Sequence, residues 1–247
     1  MDDSTPALLK AEQLCKTYAQ RPIVKDLSFH VMPGEVVGLL GPNGAGKTTA
    51  FYLTIGLIHA DKGKVLFAGQ DVTTFPVHQR ARMGLGYLAQ EPSIFRGLTV
   101  EENILCIVEL AHPTWTKKMR KAKLEELLAE LHLEHLAKKH AVTLSGGERR
   151  RLEITRALVT NPSLLLLDEP FANIDPLTIQ DVKTMIRLLK SKGISVLITD
   201  HNAREIFSIV DRSYLMQQGT VLLCGTVDFL LSHPLARSCY LGEDFRV

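Results

Sequence analysis

Four apolar runs in this chain end in groups capable of hydrolytic chemistry. Val36-Val37-Gly38-Leu39-Leu40 leads into Gly41-Pro42-Asn43-Gly44-Ala45-Gly46-Lys47-Thr48-Thr49, and Leu85-Gly86-Tyr87-Leu88-Ala89 ends at Gln90. Leu164-Leu165-Leu166-Leu167 ends at Asp168-Glu169, and Ile194-Ser195-Val196-Leu197-Ile198 ends at Thr199-Asp200-His201. The stretch from Gly41 fits G-x-x-x-x-G-K-[ST], a phosphate-binding loop set between a strand and a helix. Its glycines let the backbone turn its N–H groups onto polyphosphate oxygens, and the helix behind it adds a positive N-terminal dipole. Lys47 can reach the β- and γ-phosphates, and the Thr48 hydroxyl is placed for Mg²⁺. These residues predict binding of a nucleoside triphosphate.

The other three strand ends predict its hydrolysis. Asp168 suits a carboxylate that holds Mg²⁺ directly or through water. Glu169 beside it suits the general base that orients and deprotonates the attacking water. Gln90 can reach the metal or the water with its amide oxygen, without adding charge. His201 can contact the γ-phosphate and the water. Taken singly, Asp168-Glu169 before Pro170 also reads as a helix cap, and His201 as a core histidine. Together with the loop they read as one hydrolytic site.

A parallel sheet is the scaffold that brings such groups together, because ligands of open α/β sheets bind beyond the carboxyl ends of the strands. The pattern around them agrees. Residues up to Val31 alternate apolar and polar, as antiparallel strands do, and Lys64-Val65-Leu66-Phe67 adds another short strand. From Thr99 to Asn161 the pattern turns helical: Thr99-x-x-Glu102 is a capping box, and Leu124, Leu127, Leu128 and Leu131 form an apolar stripe. Strands alternating with helices then resume, with a helix expected over about Leu177–Lys190. The expected organisation is a single unit, with residues 1–90 and 162–247 forming the core and 91–161 a helical insertion.

Ser145-Gly146-Gly147-Glu148 is a second diagnostic stretch. Ser145 and Glu148 form a capping box that opens a helix. Two glycines in its first turn each cost about 1 kcal/mol relative to alanine. Bare N–H groups approaching an anion would explain that cost. One triphosphate is already enclosed by the first loop, so this helix end is expected to serve a second one, on another subunit.

Composition narrows the alternatives. The chain has 247 residues, a net charge of +2 and four cysteines without C-x-x-C spacing. Near-neutral charge argues against nucleic acid as the main partner. The cysteines read as reduced thiols of a cytosolic protein. No apolar run approaches the ~18 residues of a membrane helix, so any work at a membrane needs other chains. Lys117 to Lys123 reads as the solvated face of a helix. Gly84-x-Gly86-x-x-Ala89 is not a dinucleotide fingerprint, since its glycines open a strand. His132, His135 and His140 lack the context of a metal site.

These stretches, in this order, resemble the ATP-binding cassette ATPases over essentially the whole chain. The resemblance implies a P-loop NTPase (RecA-like) α/β core with an N-terminal antiparallel β subdomain and an inserted α-helical subdomain. It implies that Tyr18 stacks on adenine and that Ser145 to Glu148 is the family signature. Ala172-Asn173-Ile174-Asp175 corresponds to the D-loop, which brings Asp175 into the site, and His201 to the switch histidine. It further implies ATP and Mg²⁺ as ligands and a head-to-tail homodimer. Integral membrane subunits would dock in a groove near Gln90, Phe95 and Arg96, on the cytoplasmic face of an inner membrane. Within the family, Tyr87 to Arg96, the arginine-rich helix after Glu148, Ile198 to Asn202 and the ending Tyr240 to Val247 are most similar to ATPase subunits of lipopolysaccharide exporters. Asn173 departs from the glycine usual there. Branched-chain amino-acid importers have similar cassettes. The near-neutral charge, lack of a long coiled coil and single cassette weigh against a non-transport cassette protein, and intact Glu169 and His201 against a non-hydrolysing scaffold.

Overall fold

The computed structural model of the chain describes residues 6–172, 174–242 and 245. Strands β1 (Leu9–Tyr18) and β2 (Arg21–Val31) form an antiparallel hairpin. Ala19 and Gln20 turn it in the left-handed region, at φ 44° and 66°, which matches the twist of a two-residue hairpin. Then come β3 (Val36–Leu40), α1 (Lys47–Ile55), β4 (Lys62–Phe67) and the short β5 (Gln70–Asp71). The antiparallel sheet has the order β2-β1-β4-β5, so residues after the phosphate loop complete what the N-terminal segment begins.

Helix α2 (Val77–Arg82) and β6 (Leu85–Leu88) precede the helical insertion of α3 (Val100–Ala111), α4 (Lys117–Glu130) and α5 (Gly146–Leu158). The predicted capping box at Thr99 and Glu102 is present, with both reciprocal bonds formed. Leu124, Leu127, Leu128 and Leu131 are all buried. The chain continues through β7 (Leu164–Asp168), α6 (Pro176–Ser191), β8 (Ser195–Thr199), α7 (Ala203–Phe207), β9 (Arg212–Gln217), β10 (Thr220–Thr226) and α8 (Val227–Ser232).

The second sheet has the order β10-β9-β3-β8-β7-β6. Its pairings are parallel except for the β9–β10 hairpin. Every residue of β3, β7 and β8 is buried, as expected of central parallel strands covered on both faces. Alternate residues feed two cores. Val37, Leu39, Leu166 and Leu197 pack with Phe51 and Phe67 on one side. Leu40, Leu165, Leu167 and Ile198 share the other with Ile104, Leu127 and Leu152 of the helical insertion. Burial of each such side chain contributes about 1.5–3 kcal/mol. Among the described residues no helix is long and apolar enough to cross a membrane.

Candidate functional site

The phosphate loop leaves β3 and enters α1 at Lys47. Its shape depends on Gly41, Gly44 and Gly46, all with positive φ (151°, 80° and 99°). A Cβ at Gly41 would lie 2.3 Å from the Met216 carbonyl oxygen. The loop is also held from outside, where Gly219 of the β9–β10 turn donates its N–H to the Ala45 carbonyl at 3.0 Å. Lys47 is buried and its ammonium donates to the carbonyls of Gly41 (2.7 Å) and Pro42 (3.2 Å). Burial pulls its pKa down, and the carboxylates of Glu169, Asp200 and Asp168 oppose that shift. Residues 43–49, Arg21, Ile23 and Glu169 line a cleft of about 500 Å³. Thr48 faces solvent there, and Thr49 is half-buried.

The three other strand ends come together around Glu169, which lines this cleft. Asp168 is buried, and its Oδ1 accepts a hydrogen bond from the Thr199 hydroxyl at 2.6 Å. The Tyr87 hydroxyl lies 3.4 Å from Oδ2. Burial raises the Asp168 pKa, against the hydrogen bonds from Thr199 and Tyr87 and the charge of Lys47. Glu169 has φ 45°, an uncommon conformation for a residue with a side chain, costing about 1–3 kcal/mol. Its N–H donates to the Thr199 carbonyl at 2.8 Å, and its Oε2 accepts from Gln90 Nε2 at 3.0 Å. Gln90 thus uses its amide nitrogen on the carboxylate and keeps its oxygen for water or metal. His201 stands with Nδ1 3.7 Å from Glu169 Oε2 and a side chain 56% exposed. It is not a core histidine. Its buried neighbour in sequence is Asp200, whose carboxylate accepts from the N–H groups of Phe171 (3.0 Å) and Asn202 (2.9 Å).

Glu169 also lines a second cavity of about 530 Å³, shared with Gln90, Glu91, Gly146, Arg149 and Arg150. Ser145 and Glu148 cap α5 reciprocally, at 2.7 and 3.3 Å. Their two glycines differ. Gly147 faces α6, where a Cβ would come 2.8 Å from Asp181 Oδ2, whereas a Cβ at Gly146 would have no neighbour nearer than 3.7 Å. The Asp181 carboxylate is the movable end of a side chain, so packing alone does not demand Gly147, and Gly146 keeps the open approach expected for an anion. Asp175 caps α6, accepting from the N–H groups of Leu177 and Thr178. Asn173 lies outside the described residues. Phe95 lies under the Arg156 guanidinium, 4.6 Å from its ring centroid, and Arg96 lines a small recess with Ile94 and Arg149. Tyr18 is half-exposed at the end of β1, with Lys16 Nζ 5.6 Å from its ring centroid.

Several residues at the site take roles that no motif assigned to them. Thr199 and Tyr87 hold Asp168 through strand register, Gly219 braces the loop from a distant hairpin, and Arg21 enters the cleft from β2. Tyr240 is a further case. Its hydroxyl donates to the His201 carbonyl at 3.2 Å, and burial raises its pKa to about 12. The C-terminal segment, which no catalytic motif requires, touches the loop carrying His201. Residues 243, 244, 246 and 247 lie outside the described residues.

A sequence profile of the family described as ABC transporter matches residues 24–172. A probable ABC transporter ATP-binding protein of Azorhizobium caulinodans is 50% identical, over 100% of this chain and 88% of its own length. The lipopolysaccharide export system ATP-binding protein LptB of Acidithiobacillus ferridurans is 48% identical, over 97% of this chain and 99% of its own. Among solved structures, an ATP-binding cassette of an ABC transporter in its ADP conformation superposes with a TM-score of 0.85 at 30% identity. That match covers 97% of this chain and 100% of the other.

Proposed function

The chain belongs to the ATP-binding cassette family of transporter ATPases, and from that we propose that it hydrolyses ATP to drive lipopolysaccharide out of a cytoplasmic membrane. The observation that carries the hydrolytic part is that Gln90 and His201 gather around Glu169, which follows Asp168 and lines the cleft of Lys47. Loop N–H groups and Lys47 bind the β- and γ-phosphates. Asp168, Thr48 and Gln90 offer oxygen donors only, the set that suits a hard dication such as Mg²⁺. When bound there, Mg²⁺ neutralises charge on the phosphates. Glu169, steadied by the Gln90 amide, takes a proton from the attacking water, and His201 steadies the γ-phosphate oxygens. Tyr18 stacks on the adenine.

Each site is completed by a second copy of the chain, in head-to-tail order. Gly146 at the start of α5 and Asp175 at the start of α6 reach the partner's nucleotide, so binding closes the pair and hydrolysis opens it. The helical insertion carries that motion to integral membrane subunits seated near Gln90, Phe95 and Arg96. The chain then works on the cytoplasmic face of the inner membrane. The similarity to the lipopolysaccharide export protein supports this cargo.

Isolation from native membranes in mild detergent, with identification of the co-purifying chains, tests the assignment. Integral partners whose reconstituted complex releases lipopolysaccharide only with ATP are expected. Recovery with an amino-acid importer, or with no membrane protein, would overturn it.

A further inference from the structure

Thr199 occupies a position that the ATPase reading leaves without a task. It is the last residue of β8, fully buried, and the register sets it beside Asp168 on one side and Leu39, two residues before the phosphate loop, on the other. Its hydroxyl donates to Asp168 Oδ1 at 2.6 Å, and its carbonyl accepts the Glu169 N–H at 2.8 Å. The same N–H lies 3.4 Å from the hydroxyl oxygen. One residue thus contacts both adjacent carboxylate-bearing residues, through side chain and backbone.

We propose that Thr199 is a positioning residue that sets the orientation of Asp168 and the left-handed backbone of Glu169, and so places metal ligand and base relative to each other. This rests on the roles assigned above to those two carboxylates. A buried carboxylate keeps a defined rotamer only where donors fix its oxygens, and the Thr199 bond is the shorter of the two that Asp168 receives from hydroxyls. A β-branched side chain has few χ1 choices, so its hydroxyl is a rigid donor. The Glu169 backbone sits at φ 45°, which needs surrounding bonds to persist, and its N–H is spent on Thr199. A misplacement of about 1 Å at such a pair lowers turnover by roughly 100-fold.

Thr199→Val removes the donor and keeps the volume; Thr199→Ser keeps the donor. Both are compared with the unaltered full chain for ATP turnover and for Mn²⁺ binding to the ATP complex by electron paramagnetic resonance. Binding of a fluorescent ATP analogue in EDTA is measured alongside. Thr199→Val is expected to lose roughly 10- to 100-fold in kcat and several-fold in Mn²⁺ affinity, with nucleotide affinity in EDTA unchanged and Thr199→Ser close to the unaltered chain. Thr199→Ala, also without a donor but with no added methyl, must fall with Thr199→Val, which separates lost bonding from crowding. Unchanged Mn²⁺ affinity and kcat in Thr199→Val, or a Thr199→Ser variant as impaired as Thr199→Val, would overturn the proposal. Glu169→Gln measured in parallel separates the two levels: normal turnover there defeats the site reading itself, whereas an inactive Glu169→Gln beside a fully active Thr199→Val defeats only the role of Thr199.

Discussion

Gln90 Nε2 and Glu169 Oε2 are 3.0 Å apart, so the residue ending one strand holds the carboxylate that follows the next. The bond couples the segment leading to the helical insertion to the proposed base. Gln90→Ala frees the carboxylate without touching the phosphate loop. Turnover is expected to fall roughly 10- to 100-fold while ATP affinity stays within about threefold. Steady-state kinetics with parallel binding measurements check this, and loss confined to affinity would contradict it.

Glu169→Gln removes the base but keeps the shape and an acceptor for Gln90. We expect a loss of roughly 10²- to 10⁴-fold in kcat, with ATP binding retained. Light scattering after size exclusion should then find ATP-dependent dimers. Near-normal hydrolysis would remove Glu169 from its role.

Lys47→Ala deletes the buried cation of the cleft. A charge-assisted hydrogen bond contributes about 1.5–3 kcal/mol, so ATP affinity should fall by at least about tenfold. Calorimetric titration decides, and unchanged affinity counts against phosphate contact.

Gly219→Ala tests the brace on the phosphate loop. The residue has φ 87°, and a Cβ would lie 2.3 Å from the Ile23 carbonyl oxygen. The substitution should cost about 1–3 kcal/mol, lowering Tm by about 2–4 °C for each of these. It should weaken ATP binding too, because the Gly219–Ala45 bond must shift. A stable variant with normal affinity would mean that the hairpin does not hold the loop.

His30 gives a pH signature away from the site. Its ring accepts or donates at 3.0 Å to the Tyr214 hydroxyl. Burial, then Arg212 and Lys10, hold its pKa below the ordinary 6.5, with Glu35 opposing. The unfolded chain therefore takes up the proton first as pH falls. Stability from this residue is complete above the ordinary pKa and declines as pH drops toward the folded one. His30→Gln should show a shallower fall of Tm between about pH 7 and pH 5. Identical slopes would exclude the effect.

The candidate residues were readable in the sequence because each is a polar type at the end of an apolar run. Gln90, Asp168, Glu169 and His201 needed only the rule that parallel strands present their carboxyl ends to one crevice. What could not be read depends on register or on distant partners. No local pattern pairs Thr199 with Asp168, and nothing near Gly219 mentions Ala45. Gln218-Gly219 is a hairpin turn, but it lacks the Asn-Gly or Asp-Gly that would have marked it.

The placement of β3 has a consequence for how the protein is made. Its neighbours are β8 and β9, and its loop is braced by Gly219, all encoded more than 150 residues later. Translation at about 5–20 residues per second leaves the strand before the phosphate loop unpaired for roughly ten seconds or longer. Until then the apolar Val36 to Leu40 run lacks the two strands that pair with it in the folded chain.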